Sequence, residues 1–179
     1  MSEFSQTRLW LMRAAFGLLA LTIVFFHLLP LDTQTSRWAG PNLILGFACA
    51  WSVRRPDYVP ALSLALVLLL SDFLLQRPPG LLALLALAGC ENLKSRGRSL
   101  RDASFAVEWL TVTVVITFVF VANRVVLALV LVDVPSLPLT LSELGTTLLF
   151  YPLIVAATHW LMGVRKVAPG DLDATGQRV

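Results

Sequence analysis

The chain has 179 residues, of which 57% are hydrophobic and only 14% charged, and its formal net charge is +3. The apolar residues cluster in long blocks rather than at helical or strand spacing, which argues against a water-soluble domain and for an integral membrane protein. Cys49 and Cys90 fall inside those blocks, where a thiol behaves as a small hydrophobe, so neither a disulfide framework nor a metal site is expected.

A helix crosses the hydrocarbon with about 20 apolar residues. The apolar length therefore predicts an all-α membrane domain over residues 1–166, a six-helix transmembrane bundle with spans near 11–30, 40–53, 58–76, 79–93, 106–131 and 140–163. Arg8 and Arg13 precede the first block as in a signal peptide, but no small-residue cleavage site follows His27-Leu28-Leu29-Pro30. A retained first span is expected.

The second block, 40–53, is short for a crossing, and its Gly46 and Ala50, four apart, suit close helix packing. Arg54-Arg55-Pro56 closes it. The third block opens at Pro60 and carries Asp72 near its far end. An acid in a membrane-length run costs about 2.5–3.5 kcal/mol at a helix centre, so its position demands a reason. The turn Gln76-Arg77-Pro78-Pro79-Gly80 then joins it to the fourth block, 79–93, so the two blocks form a hairpin. Arg77 lies close enough in sequence to meet Asp72 at the tip. The fourth block is also short, and neighbouring helices can shelter such a span.

The densest basic run follows, with Lys94, Arg96, Arg98 and Arg101, a candidate contact for anionic lipid or for a cytoplasmic protein. No aromatic platform accompanies it, which argues against nucleic acid. In the fifth block Arg124 follows Asn123; a helix from Glu108 would rise about 24 Å to reach it, near the outer interface, where a guanidinium snorkels at little cost. Pairing of Arg124 with Asp72 is expected on that basis. Residues 125–132 either extend this helix or fold along the outer surface. The last block, 140–163, leads into a polar tail, 167–179, expected to be disordered and cytoplasmic.

Eleven of the 14 basic residues (Arg8, Arg13, Arg54, Arg55, Lys94, Arg96, Arg98, Arg101, Arg165, Lys166 and Arg178) fall on one side of this layout. Arg37 and Arg77 fall on the other, which predicts both termini in the cytoplasm. Trp10, Trp38, Trp51, Trp109 and Trp160 lie near span ends and are expected to be interfacial anchors. No P-loop, HExxH, GxSxG or CxxC pattern is present, so neither catalysis nor a cofactor nor a metal is expected.

Arg55-Pro56, Pro60 opening a Leu-rich run, Asp72, and Arg77-Pro78-Pro79-Gly80-Leu81 before a Leu/Ala-rich run resemble the MreD family of rod shape-determining proteins. That resemblance implies a non-enzymatic scaffold in the bacterial inner membrane, serving lateral peptidoglycan synthesis. It implies an MreC-like partner, with MreB, RodA and a class B penicillin-binding protein nearby, and a fold similar to the substrate-binding subunits of energy-coupling-factor transporters. Pro56, Pro60, Asp72, Arg77, Pro78, Gly80 and Arg124 are the candidate structural or partner-binding residues. The alternative is a small-molecule, vitamin-like binding subunit of a transporter, for which only Asn42, Asp72, Asn123 and Arg124 offer a sparse polar set.

Overall fold

A computed structural model describes residues 2–29, 39–101, 103–132 and 134–162. Among them there are helices and no strands: α1 Ser2–Leu28, α2 Leu43–Arg54, a 3₁₀ turn Pro56–Tyr58, α3 Ala61–Leu74, α4 Leu81–Ser95, α5 Gly97–Arg101, α6 Phe105–Leu129 and α7 Leu137–Met162. Each predicted apolar block holds one of the six longer helices. Three segments, Gln6–Leu28, Phe105–Leu129 and Leu137–Trp160, are long and apolar enough to cross a membrane. The 12 residues of α2, 14 of α3 and 15 of α4 rise only about 18 to 23 Å each. The expected tail 167–179, with Arg37 and Trp38, lies outside the described residues.

Breaks in the apolar pattern set the helix ends. Asn42 caps α2 by accepting the Leu45 N–H on its side chain at 3.2 Å. Pro60, in extended conformation, supplies the carbonyl that receives the first turn of α3 through Leu64 N at 3.0 Å. Two helices end alike. At α3, Arg77 N donates to Asp72 O and Gln76 N to Phe73 O; at α6, Val132 N donates to Leu127 O and Leu131 N to Ala128 O. This is the Schellman closure, and it puts Gln76 (φ 53°) and Leu131 (φ 58°) in the left-handed region where glycine is usual. The chain after Arg124 thus extends α6 as far as Leu129 and only then turns off.

The helices close a ring in the order α1, α3, α4, α6, α7, α2, and α2 also packs against α4 across it. No residue of α2 is exposed, so this short helix sits among its neighbours rather than facing lipid. Lipid is as apolar as leucine, so close backbone approach must hold such a bundle. A Cβ on Gly46 would lie 2.5 Å from Ile154 Cδ1 of α7, and one on Gly89 would lie 2.9 Å from Val115 Cγ1 and 3.3 Å from Val119 Cγ2 of α6.

Pro152 inside α7 removes the N–H that would bond the Leu148 carbonyl. The indole of Trp109 on α6 donates to that oxygen at 3.2 Å and ties the two long helices. Trp109 therefore bonds across helices. Trp51 departs further from the interfacial reading: it is 0% exposed and lies 5.4 Å from Phe16 and 6.3 Å from Tyr58, ring centre to ring centre. It belongs to the core.

Candidate functional site: two polar ends of one four-helix group

Helices α2, α4, α6 and α7 pack pairwise around a shared interior. One end of this group carries the α3–α4 hairpin and the α6–α7 connection. The other carries Arg54, the basic run and the start of α6.

At the hairpin end Asp72 is 2% exposed. Its Oδ2 accepts the N–H of Gly80 and that of Ala83, each at 3.1 Å. A helix beginning after glycine has no side chain of its own to take the free N–H groups of its first turn. Asp72 supplies that acceptor from eight residues earlier, and a carboxylate suits the positive end of the helix dipole. Gly80 stands at φ 87°, a backbone conformation that lets the turn bring those N–H groups to the acid.

The expected pairing of Asp72 with Arg124 is therefore corrected. Arg124 instead donates from Nη1 to Pro135 O at 2.7 Å and to Thr140 Oγ1 at 3.2 Å, bracing the α6–α7 connection. Arg77 lies 3.6 Å from Glu143 of α7 rather than bridging Asp72. The acid reaches two backbone donors at no cost in side-chain order, and both guanidiniums are drawn to α7 and its approach.

These groups surround a cavity of about 300 Å³. Gln76, Arg77, Asn123, Arg124, Thr140 and Glu143 give its polar lining, with Leu82, Phe120, Leu127, Pro78, Val134 and Pro135 as apolar wall. Asn42 also lines it, donating from Nδ2 to Glu143 Oε1 at 3.2 Å while its backbone N–H binds Thr147 Oγ1 at 2.8 Å. Of the sparse polar set read from sequence, Asn42, Asn123 and Arg124 converge here and Asp72 does not. Asn123 makes no side-chain hydrogen bond among the described residues. Arg124 meets only neutral oxygens, so its charge has no counter-ion among them.

The opposite end is closed. Glu108, in the first turn of α6 and 0% exposed, takes Arg54 Nε on Oε1 at 3.0 Å and Arg54 Nη2 on Oε2 at 3.3 Å. Tyr151 of α7 donates its hydroxyl to the same Oε1 at 3.2 Å. Fork-to-fork geometry with a third donor is how a buried pair offsets its desolvation. The sequence reading used Arg54 only for topology and gave Glu108 no role. An acid opening an apolar block, level with an arginine that closes another, is the signal that would have found the pair.

The remaining candidates serve the α2–α3 corner. Pro56 opens the 3₁₀ turn, whose Asp57 carbonyl accepts Arg13 Nε from α1 at 3.1 Å. Lys94, read as a free basic contact, is 13% exposed at its side chain and donates to Val59 O at 2.5 Å and to Glu91 Oε1 at 2.7 Å. It fastens α4 to that corner. Arg96 is exposed, while the side chains of Arg98 and Arg101 lie outside the described set. The basic run is not a plain loop, because α5 forms within it and buries Leu100. Cys49 of α2 and Cys90 of α4 are buried side by side as free thiols. Among the described residues no group of three or more His, Cys, Asp or Glu side chains assembles to hold a metal. No family model, no curated protein and no solved structure matches this chain.

Proposed function

We propose that this chain is a non-enzymatic membrane scaffold of the MreD type, with six crossings and both termini in the cytoplasm. In this reading it seats an MreC-like partner in the inner membrane for the lateral peptidoglycan-synthesis machinery. One observation carries the proposal: the segment from Arg55 to Leu81 that bears the resemblance spends its polar groups on holding a shape. Pro56 and Pro60 set the corner, and Asp72 caps α4 from across the hairpin. Such a segment presents a fixed surface rather than a reactive group. Around the ring, α1, α3 and α6 turn large side chains outward, including Leu18, Leu62, Leu66, Phe73 and Phe118, the kind of surface that lipid or a partner helix covers.

The six-crossing arrangement is supported by the basic residues, since Arg54, Lys94 and Arg96 gather at the end opposite the hairpin. The short helices would then cross a locally thinned bilayer or lie sheltered by the long ones. The test is co-purification of the Asp72→Leu chain with an MreC-like partner, read together with cell shape. Loss of both while the protein still accumulates in the membrane is the expected result. Unchanged co-purification and unchanged shape would remove the hairpin from the partner surface.

A further inference from the structure

We propose that the cavity between the hairpin and the α6–α7 connection is a binding site for a small amphipathic anion, one bearing a phosphate or carboxylate next to a short apolar part. It does not rest on the scaffold reading, because a helix partner can be held with the cavity empty or full.

Three features point to an anion. The described lining carries Arg77 and Arg124 against the single acid Glu143, an excess of one positive charge in a recess whose wall is part polar and part hydrocarbon. Glu143 lies 3.6 Å from Arg77, a loose pair, and the carboxylate is shared with the Asn42 amide. Among the described residues Arg124 donates only to a backbone carbonyl and a hydroxyl, with no carboxylate against it. A half-buried guanidinium held by neutral oxygens attracts an anion more strongly than one fully in water.

Asn123 supplies the orienting group. It sits one residue before Arg124 on α6, lines the same cavity, and bonds no other described side chain or backbone. A primary amide there offers two donors and an acceptor to a headgroup-sized ligand. The volume of about 300 Å³ stands at the lower end of ligand pockets. Leu82 and Phe120 give the apolar part somewhere to lie. The anion has two possible sources with the same chemistry: the headgroup of an acidic phospholipid reaching in from the bilayer, or a soluble phosphate or carboxylate entering from the aqueous side.

The full chain is reconstituted in phosphatidylcholine nanodiscs in three arms: alone, doped with phosphatidylglycerol, and with inorganic phosphate added to the buffer. Thermal midpoint and native mass spectrometry are read in each. The wild type is expected to be stabilised by one anion, and a bound phosphatidylglycerol that survives gas-phase activation assigns the site to lipid. Stabilisation by phosphate alone assigns it to a soluble ligand. Asn123→Leu replaces the orienting amide with an apolar side chain without removing any hydrogen bond among the described residues, and Arg124→Gln removes the positive charge; each is expected to weaken the response roughly tenfold. The proposal is overturned if neither anion raises the wild-type midpoint, or if Asn123→Leu responds as the wild type does. Should Arg124→Gln fail to fold, Asn123→Leu decides alone.

Discussion

The two ends of the α2–α4–α6–α7 group hold similar ingredients, an arginine and a glutamate from different parts of the chain with a hydroxyl nearby, and use them oppositely. Arg54 and Glu108 meet in a bidentate pair at 3.0 and 3.3 Å with Tyr151 completing the shell, and their side chains are only 10% and 0% exposed. Arg77 and Glu143 approach only to 3.6 Å with side chains 32% and 24% exposed, beside an Arg124 that meets no acid among the described residues. Packing explains the difference. At the closed end Glu108 is fully buried and Tyr151 also donates to it, so neither ion is well held unless the other is present. At the open end the Schellman turns at Gln76 and Leu131 lead the chain outward, and the recess between them is left to water or a ligand.

The largest effect that separates the ends is expected at Glu108. Replacing it with alanine strands a buried guanidinium and should destabilise the fold by about 3–5 kcal/mol. The double change Arg54→Met with Glu108→Leu removes both charges and should recover most of that loss, because a buried pair and an apolar pair of similar volume are nearly equivalent. Thermal unfolding in detergent or nanodiscs measures both. A double variant as unstable as the single one would mean that the pair fixes something besides its own charge.

Between the two polar ends lies the apolar layer where Gly89 lets α4 approach α6. Valine there would place its Cβ 2.9 Å from Val115 Cγ1 and 3.3 Å from Val119 Cγ2, on β-branched side chains with little freedom to turn aside. A loss of about 1–3 kcal/mol is expected from overpacking. If the layer is what keeps the ends independent, Gly89→Val should also loosen the cavity and broaden the Asn123 response, which binding on the same preparation reports.

Asp72 belongs to the hairpin end but behaves like the closed one, since its acceptor is committed to two N–H groups. Asp72→Ala should cost about 1–2 kcal/mol, the range of a lost helix cap. Asp72→Asn keeps one carbonyl acceptor and should cost less. Hydrogen exchange at Gly80 and Ala83 checks the mechanism, because those two amides should lose protection first. Faster exchange elsewhere with these two unchanged would show that the acid does not hold α4.

How much of this was legible in the sequence follows from the range of each interaction. Helix positions were readable because Pro60, Gly80 and Pro135 interrupt apolar blocks, and those breaks act locally. The importance of Asp72 was readable from its cost, but its partners were not. Backbone N–H groups carry no residue signature, and an arginine is the partner that sequence suggests. Gly80 at the start of a helix was the available clue, since a glycine N-cap needs an acceptor from elsewhere. The Arg54–Glu108 pair joins positions 54 residues apart, and Trp51 reads like Trp10 until Phe16 and Tyr58 are brought against it. Only tertiary packing distinguishes an aromatic ring at a helix end from one in the core.

The smallest effect on stability is expected at Glu143, and it is the one that bears most directly on the contrast. Glu143→Gln keeps a carbonyl for the Asn42 amide and gives up a loose, partly exposed ion pair, so stability should change by less than about 1 kcal/mol. The charge of the described cavity lining, however, rises from one excess positive to two. A cavity that takes an anion should then take it more tightly, while a cavity that is only an incompletely filled turn should show no change in binding at all. The same substitution at Glu108 would destabilise the fold, because there the arginine is nearly enclosed and the one acid it meets among the described residues is lost. One chemical change, neutral to folding at one end and damaging at the other, therefore tests whether the open end is held open for a ligand.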